Sequence, residues 1–334
     1  MTPRRTLTAL TLVTAALLGL TACTTTSAPV AEESPQQAGA FPRTIEIPAG
    51  AERPAQTLTI EAEPGTIAAL DYESAEIVAE LGLAERLVLV PEAVTNPAIG
   101  GHVEEMSAVP NTFPVAMDLE AETVIALAPD LVIMSPRHGA EDTIGAVLEQ
   151  AGLTSLQLPD SWTTPETLST GIDLIGQATG TDDEAAELSS RIAEGLEQHA
   201  SRTPGDRAED APRILVLTNQ AGRPFVTAGS AFPLQLVTLA GATSVSDELG
   251  IRATGPIAAE QIVETDPDGI VLIDMNGTGD RMYAELLANP AVAALPAVSE
   301  DRILRIAGRE VQALGLTETA AGLAKLTEWV SSLS

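Results

Sequence analysis

The sequence predicts an α/β fold of two similar lobes, each a mostly parallel sheet flanked by helices, with one long helix between the lobes. Short aliphatic runs alternate with helical patterns before residue 164 and again after residue 202. The stretch between them is almost wholly helical in pattern. A third observation is a repeat, because "AETVIALAPDLVI" begins at Ala121 and "AEQIVETDPDGIVLI" begins at Ala259. Two such lobes would enclose a ligand cleft.

The alternation of aliphatic runs and helical patterns predicts the strands and helices of each lobe. In the first lobe the aliphatic runs 66–70, 86–90, 130–134 and 155–158 are predicted strands, and 74–82 and 142–152 are predicted helices. In the second lobe the predicted strands are 213–218, 269–273 and 302–307, and the predicted helices are 232–242, 284–295 and 317–333. Short strands that alternate with helices of about ten residues are typical of βαβ units with a parallel sheet.

The repeat predicts the same local structure in both lobes. The aliphatic residues after Ala-Glu suit a short helix, which Pro129 and Pro267 would end because proline removes a backbone donor. Asp130 and Asp268 would lie in the turn, and a buried parallel strand would follow. A chance match of a common helix-Pro-Asp-strand pattern is the alternative.

The middle of the chain, 165–201, predicts the helical connection between the lobes, with a break at 179–181. Thr164 can cap its start, and Pro165 suits the first helical position. After the break, Thr181 and Glu184 fit a capping box. One apolar stripe at helical spacing follows, formed by Ala185, Leu188, Ile192 and Leu196.

The N-terminal residues predict export and lipid anchoring. Residues 1–22 have two arginines followed by an uncharged apolar stretch, as in a signal peptide. "LTAC" then resembles a bacterial lipobox in which Cys23, the one cysteine of the chain, is lipid-modified; a free thiol is the alternative. Residues 23–43 predict a flexible tether, 44–164 the first lobe and 202–334 the second. We expect the protein on the outer face of the cytoplasmic membrane.

Charge and motifs exclude several functions. The net charge of −30 disfavours nucleic acid as a partner. The chain has no G-x-S-x-G, no P-loop, no G-x-G-x-x-G and no H-E-x-x-H. We therefore expect a binding protein that is not an enzyme and requires no cofactor.

The predicted ligand site lies beyond the carboxyl ends of the strands, where open α/β sheets bind ligands. Arginines there suit carboxylates of an anionic ligand, and solvated loop positions are the alternative for each. For the aromatic residues, core or hinge packing is the alternative. The candidate ligand-binding residues are Tyr72, Arg137, His138, Trp162, Arg223, Phe225, Met275 and Arg309.

The body of the chain, 44–334, resembles the periplasmic-binding-protein family that serves ABC importers of iron complexes and cobalamin, the class with a helical backbone. The resemblance is carried by "AALDYESAEIVAELGLAERLV", "LEAETVIALAPDLVIM", "PIAAEQIVETDPDGIVLI" and "LTETAAGLAKL". It implies a ligand gripped between two lobes with little closure, and an ABC permease as partner. It also implies that Glu122 and Glu260, one on each lobe, pair with arginines of the permease. We expect a monomer.

The resemblance leaves the ligand open among haem, ferric siderophore and cobalamin. Haem-binding members use a histidine that resembles His138 as an iron ligand, and imidazole suits iron. The same members supply a tyrosine after the strand 213–218, where this chain has Thr218-Asn219-Gln220. A bare zinc or manganese ion held by His102, His138 and Glu310 is a further alternative.

Overall fold

The computed structural model describes residues 41–51, 53–114, 119–136, 140–203, 205, 210–220 and 223–333. The first lobe opens with an antiparallel hairpin that the sequence did not predict. Its elements are β1 (Arg43–Ile47), β2 (Gln56–Ile60), β3 (Ile67–Ala69), α1 (Tyr72–Glu80), β4 (Leu87–Pro91), α2 (Val103–Ala108), β5 (Thr112–Phe113), α3 (Ala121–Leu127), β6 (Leu131–Met134), α4 (Ala140–Gln150) and β7 (Ser155–Gln157). Apart from the hairpin, its sheet has the order β5-β4-β3-β6-β7, and every neighbouring pair is parallel.

Two helices follow, α5 (Pro165–Thr179) and α6 (Asp182–His199), and then the second lobe. The elements of the second lobe are β8 (Arg213–Gln220), β9 (Arg223–Val226), α7 (Phe232–Leu239), β10 (Thr243–Ser244), β11 (Gly255–Pro256), α8 (Ala259–Thr265), β12 (Gly269–Asp274), α9 (Ala284–Leu287), α10 (Pro290–Ala293), α11 (Pro296–Ser299), β13 (Ile303–Ala307), α12 (Gly308–Val311) and α13 (Glu318–Ser331). The sheet order is β11-β9-β8-β12-β13, with β10 beside β8. β10, β8, β12 and β13 are parallel, whereas the pairs β8–β9 and β9–β11 are antiparallel.

Strands at the centre of each sheet are buried on both faces. All four residues of β6 are inaccessible to solvent, and Gly269 to Ile273 of β12 are buried as well. Helices on both faces of a parallel sheet require such continuous apolar strands. The predicted α/β class with mostly parallel sheets is confirmed.

The repeated segment forms the same structure twice, as predicted. α3 and α8 begin at Ala121 and Ala259 and are seven residues long. Each ends in a residue with left-handed backbone, Ala128 with φ of 47° and Asp266 with φ of 41°. A proline follows each of them and prevents the helix from continuing.

The two aspartates of the repeat join each helix turn to the neighbouring strand. Asp130 Oδ2 accepts hydrogen bonds from the backbone N–H groups of Gly65 at 3.0 Å and Thr66 at 2.8 Å, next to β3. Asp268 Oδ2 accepts from the N–H of Arg213, the first residue of β8, at 2.8 Å. Each carboxylate therefore aligns the entry of β6 or β12 with the adjacent parallel strand.

The helical middle consists of two helices that pack against each other. Thr164 caps α5 by accepting from Thr167 N–H at 3.2 Å, and Pro165 is the first helical residue, as predicted. The chain turns at Gly180, whose φ is 79°. The predicted capping box of Thr181 and Glu184 is wrong, because the Thr181 hydroxyl lies 2.8 Å from the Thr179 hydroxyl and makes no cap bond.

α6 touches both lobes. Its apolar stripe is buried, and the helix packs against α5 on one side and α13 of the second lobe on the other. Arg191 also forms an ion pair with Glu80 of α1 at 2.9 Å. With 18 residues, α6 is about 27 Å long at 1.5 Å per residue.

Two predicted elements differ from the structure. The predicted helix 284–295 is divided into α9 and α10, because Pro290 begins a new helical turn, and α11 follows separately from Pro296. The predicted strand 213–218 extends to Gln220, and the segment expected to be a loop turns back as β9. Within the described part of the chain, no helix is both long enough and apolar enough to cross a membrane.

We predict that Asp268→Ala lowers the free energy of unfolding by about 1–2 kcal/mol, because a backbone N–H at the start of β8 loses its acceptor. Asp130→Ala should behave alike. Glu264→Ala, which removes an exposed carboxylate from α8, is the matched control and should change stability by less than about 0.5 kcal/mol. Urea denaturation of the three variants measures the difference. Equal stability of Asp268→Ala and the control would contradict the role of the aspartate.

Candidate functional site

One buried carboxylate joins the ends of three strands in the first lobe. Asp71, which follows β3, is 5% exposed and accepts from the backbone N–H of Ser74 at 2.9 Å. It also accepts from the N–H of Ser135, beyond β6, at 3.0 Å. The indole N–H of Trp162, beyond β7, donates to Asp71 at 3.0 Å. These bonds satisfy groups that lack a strand partner and fix this end of the sheet.

The two predicted aromatic ligand contacts of the first lobe are placed differently from expectation. Trp162 is 6% exposed and belongs to the core, so it does not form part of an open cleft surface. A Cβ added at Gly171 of α5 would come within 2.3 Å of its ring. Tyr72, expected in a loop, is the first residue of α1 and packs half-buried against the core. Trp162 therefore serves to hold Asp71 in place.

A second carboxylate organises the end of β12 in the other lobe. Asp274 Oδ1 accepts from the backbone N–H groups of Asn276 at 3.1 Å and Gly277 at 3.0 Å, and Oδ2 accepts from Gly279 at 2.7 Å. Burial alone would raise the pKa of Asp274, but the hydrogen bonds from Asn219 and these backbone groups outweigh burial and hold the pKa below its usual range. The loop after β12 is thus closed around an ionised carboxylate.

The two lobes meet at these strand ends. The segment 96–101 of the first lobe, which follows β4 after one short helical turn, reaches the second lobe, where Ala98 O accepts from Arg309 N–H at 3.1 Å. The approach is close, since a Cβ added at Gly308 would lie 3.2 Å from Ala98 O and 2.5 Å from Met275 Sδ. The carboxyl ends of β12 and β13 therefore face the first lobe.

A cluster of ionisable groups anchors the far end of this segment. His102 Nδ1 lies 2.8 Å from Glu76 Oε2, and Nε2 lies 3.1 Å from Glu80 Oε2. Glu76 is 1% exposed and also accepts from the N–H of Gly101 at 3.3 Å. Hydrogen bonds to Glu76 and Glu80 raise the pKa of His102 to about 10. The same contact with His102 lowers the pKa of Glu80. The imidazolium thus connects α1 to the segment that touches the second lobe.

Arg309 and Met275 lie together at this meeting point. Arg309, expected in a loop, belongs to the four-residue helix α12, and its Nε is 3.2 Å from Glu318 Oε2. Both side chains are 40% exposed. Met275 is half-buried, and its sulfur accepts from Gln312 Nε2 at 3.8 Å. One arginine and one thioether therefore stand at the ends of β12 and β13.

Arg223 and Phe225 lie on β9 rather than in the loop that was predicted. β8 and β9 pair as an antiparallel hairpin, so Phe225 is opposite Thr218 and Arg223 is opposite Gln220. The exposed Arg223 guanidinium stacks over the Phe225 ring at 5.3 Å from the centroid. Because β8 is the neighbour of β12, this pair stands at the same end of the sheet as Met275.

The structure thus brings Arg223, Phe225, Met275 and Arg309 to one end of the second lobe. Arg137 and His138, predicted on the opposite side, lie outside the described residues, as does Cys23. A cavity of about 200 Å³ opens beside β12 and β13, next to Asp280, Tyr283 and Arg305. Its volume is below the range of about 300–1,000 Å³ that is usual for sites of drug-sized ligands.

The predicted metal-ion alternative finds no support in the described part of the chain. His102 is occupied by two glutamates, and Glu310 pairs with Lys325. No group of three or more His, Cys, Asp or Glu side chains that could hold a metal ion occurs among the described residues. The third residue of that prediction, His138, is outside them.

The predicted docking glutamates occupy equivalent positions. Glu122 and Glu260 are the second residues of α3 and α8, and both are exposed. They stand at the start of each helix, where a carboxylate also favours the helix dipole. The two helices give each lobe one carboxylate at the same point of its fold.

Comparison with known proteins establishes the family. A family model described as periplasmic binding protein matches residues 67–309, more than half of the chain. The chain belongs to the periplasmic binding protein family. Its members bind and release the molecule that they carry, so this binding protein needs no resident cofactor, as predicted.

Relatives and solved structures agree with this assignment. The binding protein is 26% identical over 243 residues to YvrC of Bacillus subtilis (strain 168), named as an uncharacterized ABC transporter substrate-binding lipoprotein, with 72% of this chain and 71% of YvrC covered. The haem-binding protein RhuT from Roseiflexus sp. RS-1, in apo form, is similar in structure, with a TM-score of 0.67, 22% identity and coverage of 80% of this chain and 98% of RhuT. The haem-binding protein HutB of Vibrio cholerae has a TM-score of 0.61 and 24% identity, with 79% and 97% covered. These likenesses confirm the two-lobed α/β fold.

We predict that the His102 cluster stabilises the binding protein most below about pH 6.5 and progressively less towards pH 10. The folded pKa of about 10 exceeds the ordinary value of 6.5, so the stabilisation is complete where both states are protonated and is lost as the pH rises through the folded value. His102→Gln should lower the free energy of unfolding by about 2 kcal/mol at pH 6 and by much less at pH 10.

Denaturation with urea at pH 6, 8 and 10 measures this dependence. His199→Gln is the matched control, since its ring makes no ion pair with a described residue. A His102→Gln effect that stays constant across this pH range would rule out the imidazolium as its source.

Proposed function

We propose that this protein is the solute-binding component of an ABC importer that captures an iron complex outside the cytoplasm and delivers it to the permease. Family membership and the substrate-binding lipoprotein YvrC support the transport role. The observation that carries the proposal is the meeting of the carboxyl ends of both sheets, at Ala98 of one lobe and Arg309 of the other. Ligands of open α/β sheets bind at such ends.

Haem is the favoured ligand. RhuT of Roseiflexus and HutB of Vibrio cholerae, which have a similar fold, are named as haem-binding proteins. Arg223 and Arg309 are partly or fully exposed at the strand ends and suit propionate carboxylates. Met275 offers a polarizable contact to a porphyrin, and His138 is the proposed iron ligand.

A ferric siderophore is the second candidate, and the end of β8 favours it. Asn219 stands near the position where the family resemblance implies a tyrosine in haem-binding members, and its amide oxygen is already occupied by Met275 N–H at 2.6 Å. Asn219 is thus not free to ligate iron. A siderophore satisfies the iron itself and needs only cationic groups such as Arg223 and Arg309.

The N-terminal residues complete the proposal. Residues 1–22 serve as the signal peptide, Cys23 carries the lipid, and 23–43 form the tether of the lobes 44–164 and 202–334, which the helical stretch 165–201 joins. The name of YvrC as a lipoprotein supports this arrangement. In the proposed arrangement the binding site lies outside the cytoplasm and near the permease.

We predict that the purified exported protein binds hemin with a Soret band that His138→Ala weakens, because the imidazole ligates the iron. His199→Ala, a histidine at the end of α6, is the control and should leave the band unchanged. Absorption titration measures both. No spectral change with hemin, together with quenching of tryptophan fluorescence by a ferric tris-catecholate, would replace haem by a siderophore as the ligand.

We also predict that Glu122→Lys and Glu260→Lys abolish uptake of the iron complex while ligand affinity stays within about twofold. Both carboxylates are exposed, and contacts to permease arginines would become repulsive. Glu264→Lys, also exposed on α8, is the control for charge alone. Uptake is measured in cells and affinity on the purified protein. Persistent uptake by the double variant would refute the docking role of these glutamates.

A further inference from the structure

Asn219 lies at the end of β8 and is buried although it is polar. It is 2% exposed. Its Nδ2 group lies within hydrogen-bond distance of three acceptors, Asp274 Oδ1 at 3.0 Å, Asn276 Oδ1 at 3.0 Å and Thr278 Oγ1 at 3.3 Å. Its Oδ1 accepts from the N–H of Met275 at 2.6 Å. The Asn219 side chain of the neighbouring strand β8 therefore contacts four residues at the end of β12 and in the loop that follows: Asp274, Met275, Asn276 and Thr278.

The loop depends on this amide for its shape. Asp274 gathers backbone N–H groups of the loop, but an ionised carboxylate accepts hydrogen bonds and cannot donate to Asn276 Oδ1. The Nδ2 group of Asn219 supplies the donor that lets the Oδ1 atoms of Asp274 and Asn276 lie close together. Its own Oδ1 accepts from the Met275 N–H, which points back to β8. A buried amide whose donors and acceptor are all used fixes its surroundings more strongly than an exposed one.

The loop in turn faces the first lobe. Met275 carries its sulfur against Gly308 and Gln312, and a Cβ added at Gly277 would lie 3.6 Å from Asn96 Oδ1. The same loop thus shapes the second lobe where it approaches segment 96–101. A shift of the loop would displace Met275 and open or close the space between the lobes.

We propose that Asn219 is the positioning residue of the ligand site, which holds the segment 274–279, and Met275 above all, in the conformation that receives the ligand. This inference rests on the proposed function, since it takes the strand ends as the ligand site. Asn219 acts through the loop and does not touch the ligand, because its polar atoms are already engaged.

Two variants of the full exported protein test the proposal. Asn219→Asp keeps the shape but replaces the donor by an oxygen about 3.0 Å from Asp274 and Asn276, so two carboxylates repel at pH 8. At pH 5 the introduced carboxyl takes up a proton shared with Asp274 and donates again. Asn219→Leu has no such recovery. The other charged groups near this loop are Asp280 and Arg281 in the same region, Arg223 on β9, Arg305 on β13 and Arg309 on α12.

Thr227→Val is the matched control. Thr227 is 3% exposed on the chain just after β9, and its hydroxyl has no hydrogen-bond partner among the described residues. The control therefore changes a buried polar residue near the same sheet without touching the loop.

Binding of hemin, and in a separate arm of a ferric tris-catecholate, is measured at pH 8 and pH 5 and expressed relative to the unaltered chain at each pH. We expect Asn219→Asp to weaken binding at least tenfold at pH 8 and less than threefold at pH 5. Asn219→Leu should weaken it at both, and Thr227→Val at neither. A purely structural role would lower the melting temperature of Asn219→Asp at pH 8 while the affinity of the folded variant stays within threefold of the unaltered chain.

Hydrogen exchange of the ligand-free protein supplies a readout that does not depend on the ligand. Amide hydrogens of Asn276 to Gly279 should exchange at least tenfold faster in Asn219→Asp at pH 8, with β6 and α6 unchanged. If the unaltered chain binds neither probe, the proposed function fails while exchange still tests the loop. Normal exchange in the loop, or normal affinity at pH 8, overturns the role of Asn219.

Discussion

The structure depends on carboxylates that satisfy backbone N–H groups where parallel strands end. A strand that leaves its sheet exposes donors without partners, and leaving them unpaired in a buried place costs about 1–3 kcal/mol each. Asp71 meets this need in the first lobe, and Asp274 meets it in the second. Asp130 and Asp268 do the same at the opposite ends of the strands. Both sheets are therefore fixed at their two ends by acids rather than by apolar packing alone.

This constraint also determines where the lobes can touch. Because Asp71 and Asp274 hold the loops beyond β3 and β12 in place, the segment 96–101 meets a defined surface at Arg309. The ion pair of His102 with Glu76 of α1 holds the end of that segment in place. The cleft is thus bordered by groups that were ordered before any ligand arrives, which is the arrangement that spares a binding site the entropy of ordering.

Turns and helix ends that depend on neighbouring residues could be predicted from the sequence. Contacts between residues far apart in the chain could not. The helix, proline and aspartate of the repeat recur in both lobes because a short segment contains all the residues that the turn requires. Trp162 was expected in the cleft, but its indole N–H is used by Asp71, which lies far away in the chain. Asn219 drew notice in the sequence only because it stands near the position of a tyrosine that the family resemblance implies. Its role appears only when β12 lies beside β8, and only a polar residue at the end of an apolar strand hinted at it.

The packing of α6 against α5 and against α13 of the second lobe has a consequence for the kinetics of binding. An arrangement in which the second lobe leaves α6 strips its apolar stripe from α13, and one in which the first lobe leaves α6 breaks the pair of Arg191 with Glu80. Such arrangements are high in free energy and therefore rare. If the packed arrangement is the one that receives the ligand, nearly every molecule is ready to bind, and the apparent dissociation constant approaches the intrinsic one. Association would then be a single bimolecular step whose observed rate rises linearly with ligand concentration.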